Sequence, residues 1–170
     1  MKKKLTVLTT GGTIEKVYDE SDGALKNGPS IFRENILNHL RLPNYEISVY
    51  EVFSKDSLDI DDQGREFLKQ AVELELSRGN PILVIHGTDT MTHSAEYCQS
   101  KISDPPVPIV FTGAMKPTQL RDTDALQNVA GAISSIPLLA PGFYISFHGE
   151  TFLAGTCQKN KKTMSFESIS

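Results

Sequence analysis

The chain has 170 residues, 39% of them hydrophobic and 22% charged, with a formal net charge of −4 and no tryptophan. That length suits one domain able to bury roughly 70% of its unfolded surface. The mild acidity forces no basic face for nucleic acid, no run approaches a membrane span, and two isolated cysteines, Cys98 and Cys157, indicate neither a disulfide framework nor a thiolate metal site.

Lys2–Lys4 form a basic run, but only Leu5–Thr10 separate it from Gly11-Gly12, too few residues for the apolar segment of a signal peptide. A soluble, cytoplasmic protein is expected. Leu5–Thr10, β-branched and closed by the glycine pair, reads as a strand. Glu15 to Pro29 is polar and lacks periodicity, as a long lid or binding loop would. Phe32, Ile36 and Leu40 recur every four residues, one face of a helix, and Tyr45–Phe53 alternates as a second strand. Asp61-Asp62 opens a helix whose one side carries Phe67, Leu68, Ala71, Val72 and Leu74, with Gly79 as its stop.

Pro81–Ile85 and Pro108–Phe111 are unbroken apolar runs, as strands covered on both faces require. Between them, residues 92–102 suit a helix. Leu126, Val129, Ala130 and Ile133 have helical spacing, and Phe143–Phe147 gives a fifth strand. Strands alternating with helices predict a single α/β domain, a doubly wound, mostly parallel sheet with helices on both faces.

Three polar, glycine-bearing segments follow three of these strands: Thr10–Thr13, His86–Thr90 and Thr112–Lys116; Asp56-Ser57 follows a fourth. Open α/β sheets bind ligands outside the carboxyl ends of their strands, so four segments point to one rim. Each alone has a plainer reading: Gly11-Gly12 as a turn, Thr88-Asp89-Thr90 as a helix cap. No dinucleotide fingerprint, phosphate loop or nucleophile elbow occurs. His39, His86, His93 and His148 lack metal-ligand spacing and read as packed or solvent-facing side chains, and Asp19, Glu20 and Asp22 as a solvated loop face. No histidine stands beside a convincing serine or cysteine, which leaves a threonine nucleophile. Its hydroxyl needs a lysine, tyrosine or aspartate nearby to take the proton.

Thr10-Gly-Gly-Thr-Ile14, His86-Gly-Thr-Asp-Thr-Met91 and Thr112-Gly-Ala-Met-Lys-Pro117 resemble, in sequence and spacing, the signature segments of the bacterial-type L-asparaginase family. The resemblance runs from residue 5 to about residue 166. It implies hydrolysis of L-asparagine to L-aspartate and ammonia, with L-glutamine as a second candidate substrate and no cofactor or metal.

Carried over by position, Thr13 matches the attacking threonine, Tyr18 its supporting loop tyrosine, and Thr88 and Asp89 the second threonine and its aspartate. Asp56-Ser57 resembles the substrate-binding stretch, with Ile60 in place of the family's methionine and the apolar Leu58 where longer members carry a polar residue. Gly12 and Gly87 fall beside the substrate in this correspondence, and Ala114 beside the scissile amide. Lys159 lies seven residues before Phe166, a spacing similar to short family members, and is the expected third member of a relay with Thr88 and Asp89. Lys161 and Lys162 are expected to be solvated.

Typical members are about twice as long, with a smaller second domain that lends an acidic group to a neighbouring subunit's site. The resemblance therefore implies a short-chain, single-domain form, residues 1–170, assembled as a homodimer or larger oligomer, with no nucleic acid or membrane partner. The alternatives are a catalytically idle amino-acid- or partner-binding module, and the amidase-like component of a tRNA-dependent amidotransferase.

Overall fold

A computed structural model describes residues 1–169. Strand β1 (Lys3–Gly11) runs into a single 3₁₀ turn, Thr13–Glu15. The polar stretch that follows is not the irregular loop its composition predicts. It folds into a small antiparallel hairpin of β2 (Val17–Asp19) and β3 (Ala24–Lys26), with Tyr18 opposite Leu25. Its strands bury little, so no apolar alternation betrays them. Lys26, paired with both Asp19 and Asp22, helps close the turn.

The helix predicted through Leu40 is shorter than its spacing suggests. Helix α1 (Phe32–Asn35) ends where Ile36 leaves helical backbone at φ −123°, and a 3₁₀ turn follows at Leu37–His39. One turn is enough to insert Phe32 and Ile36, both buried, into the core. Strand β4 (Tyr45–Lys55) leads to α2 (Asp62–Leu76), whose N-cap Asp61 accepts a hydrogen bond from the Gly64 N–H at 2.8 Å. Then come β5 (Ile82–Ile85), α3 (Met91–Lys101), β6 (Pro108–Thr112), α4 (Ala125–Ser135) and β7 (Gly142–Phe147). Three short strands close the described chain: β8 (Glu150–Leu153), β9 (Cys157–Asn160) and β10 (Ser165–Ser168).

The main sheet has the order β4-β1-β5-β6-β7-β8, parallel throughout except for the edge pair β7–β8. Side chains alternate through it. Ile82, Val84, Ile109 and Phe111 meet α2 and α3 on one face, whereas Leu83, Ile85 and Val110 meet α1 and α4 on the other. This is the doubly wound α/β architecture that the strand–helix alternation predicts.

The α2 face needs correction. Leu68 and Val72 are buried as expected, but the next inward residue is Glu75, which accepts a hydrogen bond from Thr6 at 3.2 Å; Phe67 and Leu74 face solvent. A stripe at i, i+4 and i+7 is all that one flank of a sheet can cover. Leu68→Ala should therefore lower stability by about 2–5 kcal/mol, and Phe67→Ala by well under about 1 kcal/mol. Urea-denaturation midpoints of the two variants check this.

Candidate active site

Strand order reverses between β1 and β5. The chain leaves β1 toward β4 and returns across it to β5. In open α/β sheets the cleft outside such a point is where ligands bind. Both carboxyl ends there are held in register: Thr9 pairs with Ile85, and the Thr10 hydroxyl donates to the Ile85 carbonyl at 2.9 Å. Thr10 is thus a structural threonine. Thr13 stands two residues beyond β1, partly exposed, at the start of its 3₁₀ turn.

Gly12 makes the juxtaposition possible. Its φ is +82°, and a Cβ there would lie 2.4 Å from the Gly87 Cα. No side chain fits between the two backbones, so the turn bearing Thr13 rests directly on the segment bearing Thr88. Gly87 is itself tight against the buried Ser57, whose side chain would lie 2.6 Å from an added Cβ. The Gly12 N–H donates to the Lys55 carbonyl at 2.9 Å, and Ile14 is buried beside Phe32 and Ala114. The turn is fixed by backbone contact and by its middle residue.

The third component arrives from far along the chain. Lys159 Nζ donates to Thr88 Oγ1 at 2.7 Å and to Asp89 Oδ1 at 2.9 Å. The Lys159 side chain is 14% exposed and that of Asp89 37%, so the pair sits at the edge of solvent with the ammonium on the inside. Lys159 lies on β9 opposite Phe166, which is buried edge-on against Phe147 with ring centroids 5.0 Å apart. Packing of that hairpin, with Cys157 also buried, aims the lysine. Lys161 and Lys162 stand exposed in the turn.

His86, beside this group, is fully buried, and burial pulls its pKa down to about 4. Its Nδ1 lies 2.8 Å from the Gly87 carbonyl. A carbonyl only accepts, so Nδ1 carries the proton and Nε2 is bare. It is a neutral ring that steadies Gly87, in keeping with its reading as a packed histidine.

The remaining candidates are placed unevenly. Asp56 caps the turn Ser57–Asp59 through the Leu58 N–H, and the Lys16 ammonium 2.6 Å away holds its carboxyl below the usual range. The Ser57 carbonyl accepts from the Thr90 hydroxyl at 2.8 Å, tying this segment to the start of α3. Ala114 turns its methyl into the core, which leaves only its backbone to face a ligand. Tyr18 is not brought onto Thr13. It lies on β2, 54% exposed, with its hydroxyl near Gly23 in the hairpin turn.

Sequence reasoning missed a polar knot behind Ala114. The Asp124 carboxylate accepts from the Met115 and Lys116 N–H groups at 3.0 Å, from Asn128 at 2.9 Å and from His148 Nε2 at 2.9 Å. These bonds hold it ionised below the ordinary carboxylate range despite partial burial. His148 Nδ1 also meets the Ser165 hydroxyl at 3.0 Å, which links the β6–α4 loop to the hairpin of Lys159. Asp124 directly precedes a helical run, a capping signal legible in sequence, but its partners come from three places, the Met115–Lys116 backbone, Asn128 one turn along the helix and the distant His148.

A doubly wound α/β domain with a threonine–aspartate–lysine cluster at its switch point is the class that fold and site define. The family described as Asparaginase, N-terminal, matches residues 4–170. The chain belongs to that family. It is 35% identical over 136 residues to an L-asparaginase of Bacillus licheniformis, covering 78% of this chain and 41% of that protein. It is 30% identical over 151 residues to a component of the glutamyl-tRNA(Gln) amidotransferase of Methanosphaera stadtmanae, covering 87% and 34% respectively. The thermostable L-asparaginase from Thermococcus kodakarensis superposes with a TM-score of 0.86 at 28% identity, over 98% of this chain and 51% of that one. The chain thus spans about a third to a half of the length of these relatives.

Proposed function

We propose that this domain is an amidohydrolase that converts L-asparagine to L-aspartate and ammonia through a threonine acyl-enzyme. The observation that carries the proposal is the contact of Lys159 with both Thr88 and Asp89, beside the turn that bears Thr13. Thr13 Oγ attacks the side-chain amide carbon. The Lys159 ammonium gives a proton to the amide nitrogen, which leaves as ammonia, and regains one from Thr13 through the Thr88 hydroxyl. Water then adds to the Thr13 ester, the bond to Oγ breaks, and aspartate departs. Asp89 holds the lysine and offers its second oxygen to a substrate ammonium. Backbone N–H groups near Gly87 and Thr88, at the approach to α3, suit a carboxylate or an oxyanion. Gly12, Asp56, Ser57 and the Ala114 backbone complete the substrate's surroundings, and Tyr18 would have to swing inward with its hairpin to cover Thr13.

The similarity to the amidotransferase component supports the same amide chemistry. It does not favour transfer over hydrolysis. Coupled detection of ammonia tests the proposal: turnover with L-asparagine should exceed that with L-glutamine. A protein that releases ammonia from neither is not the enzyme proposed.

One catalytic domain, cytoplasmic location and homo-oligomeric assembly belong to the same reading. Cys98 and Cys157 are buried free thiols, as a reducing compartment allows, and no helix among the described residues is long and apolar enough to cross a membrane. Tyr18, Leu58 and Leu120 are exposed apolar side chains on segments of the candidate site or directly bound to them, as an interface would use. Light scattering on active protein should report a dimer or larger species, not the 18.7 kDa chain alone.

A further inference from the structure

Glu15 has no part in the chemistry just described, yet it is a carboxylate only 1% exposed, two residues after Thr13. Its Oε2 accepts from the Gly11 N–H at 3.2 Å, and its Oε1 meets the Ser30 hydroxyl at 2.5 Å. Gly11 is the last residue of β1, and Ser30 lies where the chain returns from the β2–β3 hairpin. The Ser30 N–H is held in turn by Glu51 of β4 at 2.5 Å. One side chain therefore ties three things together: the exit of β1, the turn that carries Thr13, and the closing end of the segment that carries Tyr18.

We infer that Glu15 is a positioning residue, a clamp that fixes Thr13 and closes the base of the Tyr18 hairpin. The inference rests on the proposed role of Thr13. Other links stitch the hairpin's base to β4 and to the residue after it, namely Asn27 to the Lys55 carbonyl at 2.8 Å, Ser54 to the Gly28 carbonyl at 2.6 Å, and Lys16 to Asp56. Lys16 follows the threonine's turn and caps it, its N–H donating to the Thr13 carbonyl at 3.2 Å, whereas the bonds of Glu15 start within the turn and reach both the exit of β1 and Ser30. A buried acid here is otherwise hard to explain, because an unpaired carboxylate in this position would be strongly unfavourable. Burial pushes its pKa above the ordinary range, and Glu51 adds to the rise. Both bonds survive protonation, since a carboxylic acid can accept from Gly11 and donate to the Ser30 oxygen. Geometry at this position, not charge, is what the clamp supplies. An amide should serve nearly as well, with its oxygen accepting from Gly11 and its NH₂ donating to Ser30.

The test compares Glu15→Ala, Glu15→Gln and Ser30→Ala with wild type and with Thr13→Ala. Glu15→Ala should lower kcat for L-asparagine by about 10- to 100-fold, the range expected for a misplaced reacting group. KM should change far less. Limited trypsin digestion should cut faster after Lys16, which precedes β2, and after Lys26, the last residue of β3. Ser30→Ala, which removes the bond to Glu15 and a longer one accepted from the Phe32 N–H at 3.4 Å without burying or exposing a charge, should shift both readouts in the same direction, and Glu15→Gln should stay near wild type. If Glu15→Ala does not fold, Ser30→Ala alone decides. Wild-type kcat and wild-type digestion in the folded Ala variants overturn the clamp. So does a Glu15→Gln protein as impaired as Glu15→Ala, since charge would then be what matters. Normal activity in Thr13→Ala would refute the nucleophile assignment instead, while the digestion pattern would still report on the clamp.

Discussion

Lys159→Met is expected to lower asparagine turnover by about a thousandfold or more, within the range that a positioned proton-transfer group contributes. The ammonium touches both Thr88 and Asp89 at hydrogen-bond distance, and methionine offers neither a donor nor a base. Methionine also matches the lysine stem closely enough to leave the β9–β10 hairpin packed on Phe147. Steady-state kinetics beside a thermal melt separates the two effects: kcat should collapse while the melting temperature moves little. Lys161→Met and Lys162→Met, in the exposed turn, should keep wild-type rates. Normal turnover by Lys159→Met would mean that the proton takes another route.

Thr13→Ala and Thr88→Ala should each remove nearly all turnover and leave the fold intact. Neither hydroxyl is needed to hold the sheet, a task that falls to Thr10 and to the Gly12–Gly87 contact. Both threonines serve one sequence of proton and acyl transfers, so Thr13→Ala/Thr88→Ala should lose little more than either single variant. More than about a tenth of wild-type activity in Thr13→Ala would reject it as nucleophile, because removal of an attacking group in such a unit costs several orders of magnitude. Strictly multiplicative losses would show that the two threonines act independently.

Much of the central sheet was legible from sequence for a physical reason. Ile82–Ile85 and residues 108–111 are covered on both faces, and such stretches of strand read as unbroken apolar runs. The rim was legible because strand ends in a parallel sheet converge, so Thr13 and Thr88 could be expected together. Lys159 came only from resemblance, since nothing local distinguishes it from Lys161; what separates them is the tertiary pairing with Phe166. The β2–β3 hairpin was illegible because ion pairs and backbone bonds form it without an apolar face. Glu15 and Asp124 were missed for a related reason. A carboxylate withdrawn from water is marked by partners distant in sequence, here Ser30 at one site and His148 at the other.

The alternative of an idle binding module makes the decisive comparison simple. Calorimetric titration with L-asparagine and coupled ammonia release should be run side by side on one preparation of the purified protein. An amidohydrolase should release many equivalents of ammonia per chain, matched one for one by aspartate, with the rate saturating in asparagine. Saturable binding of asparagine, with ammonia appearing no faster than in a protein-free blank, would contradict the assignment of Thr13, Thr88, Asp89 and Lys159 as a working catalytic set.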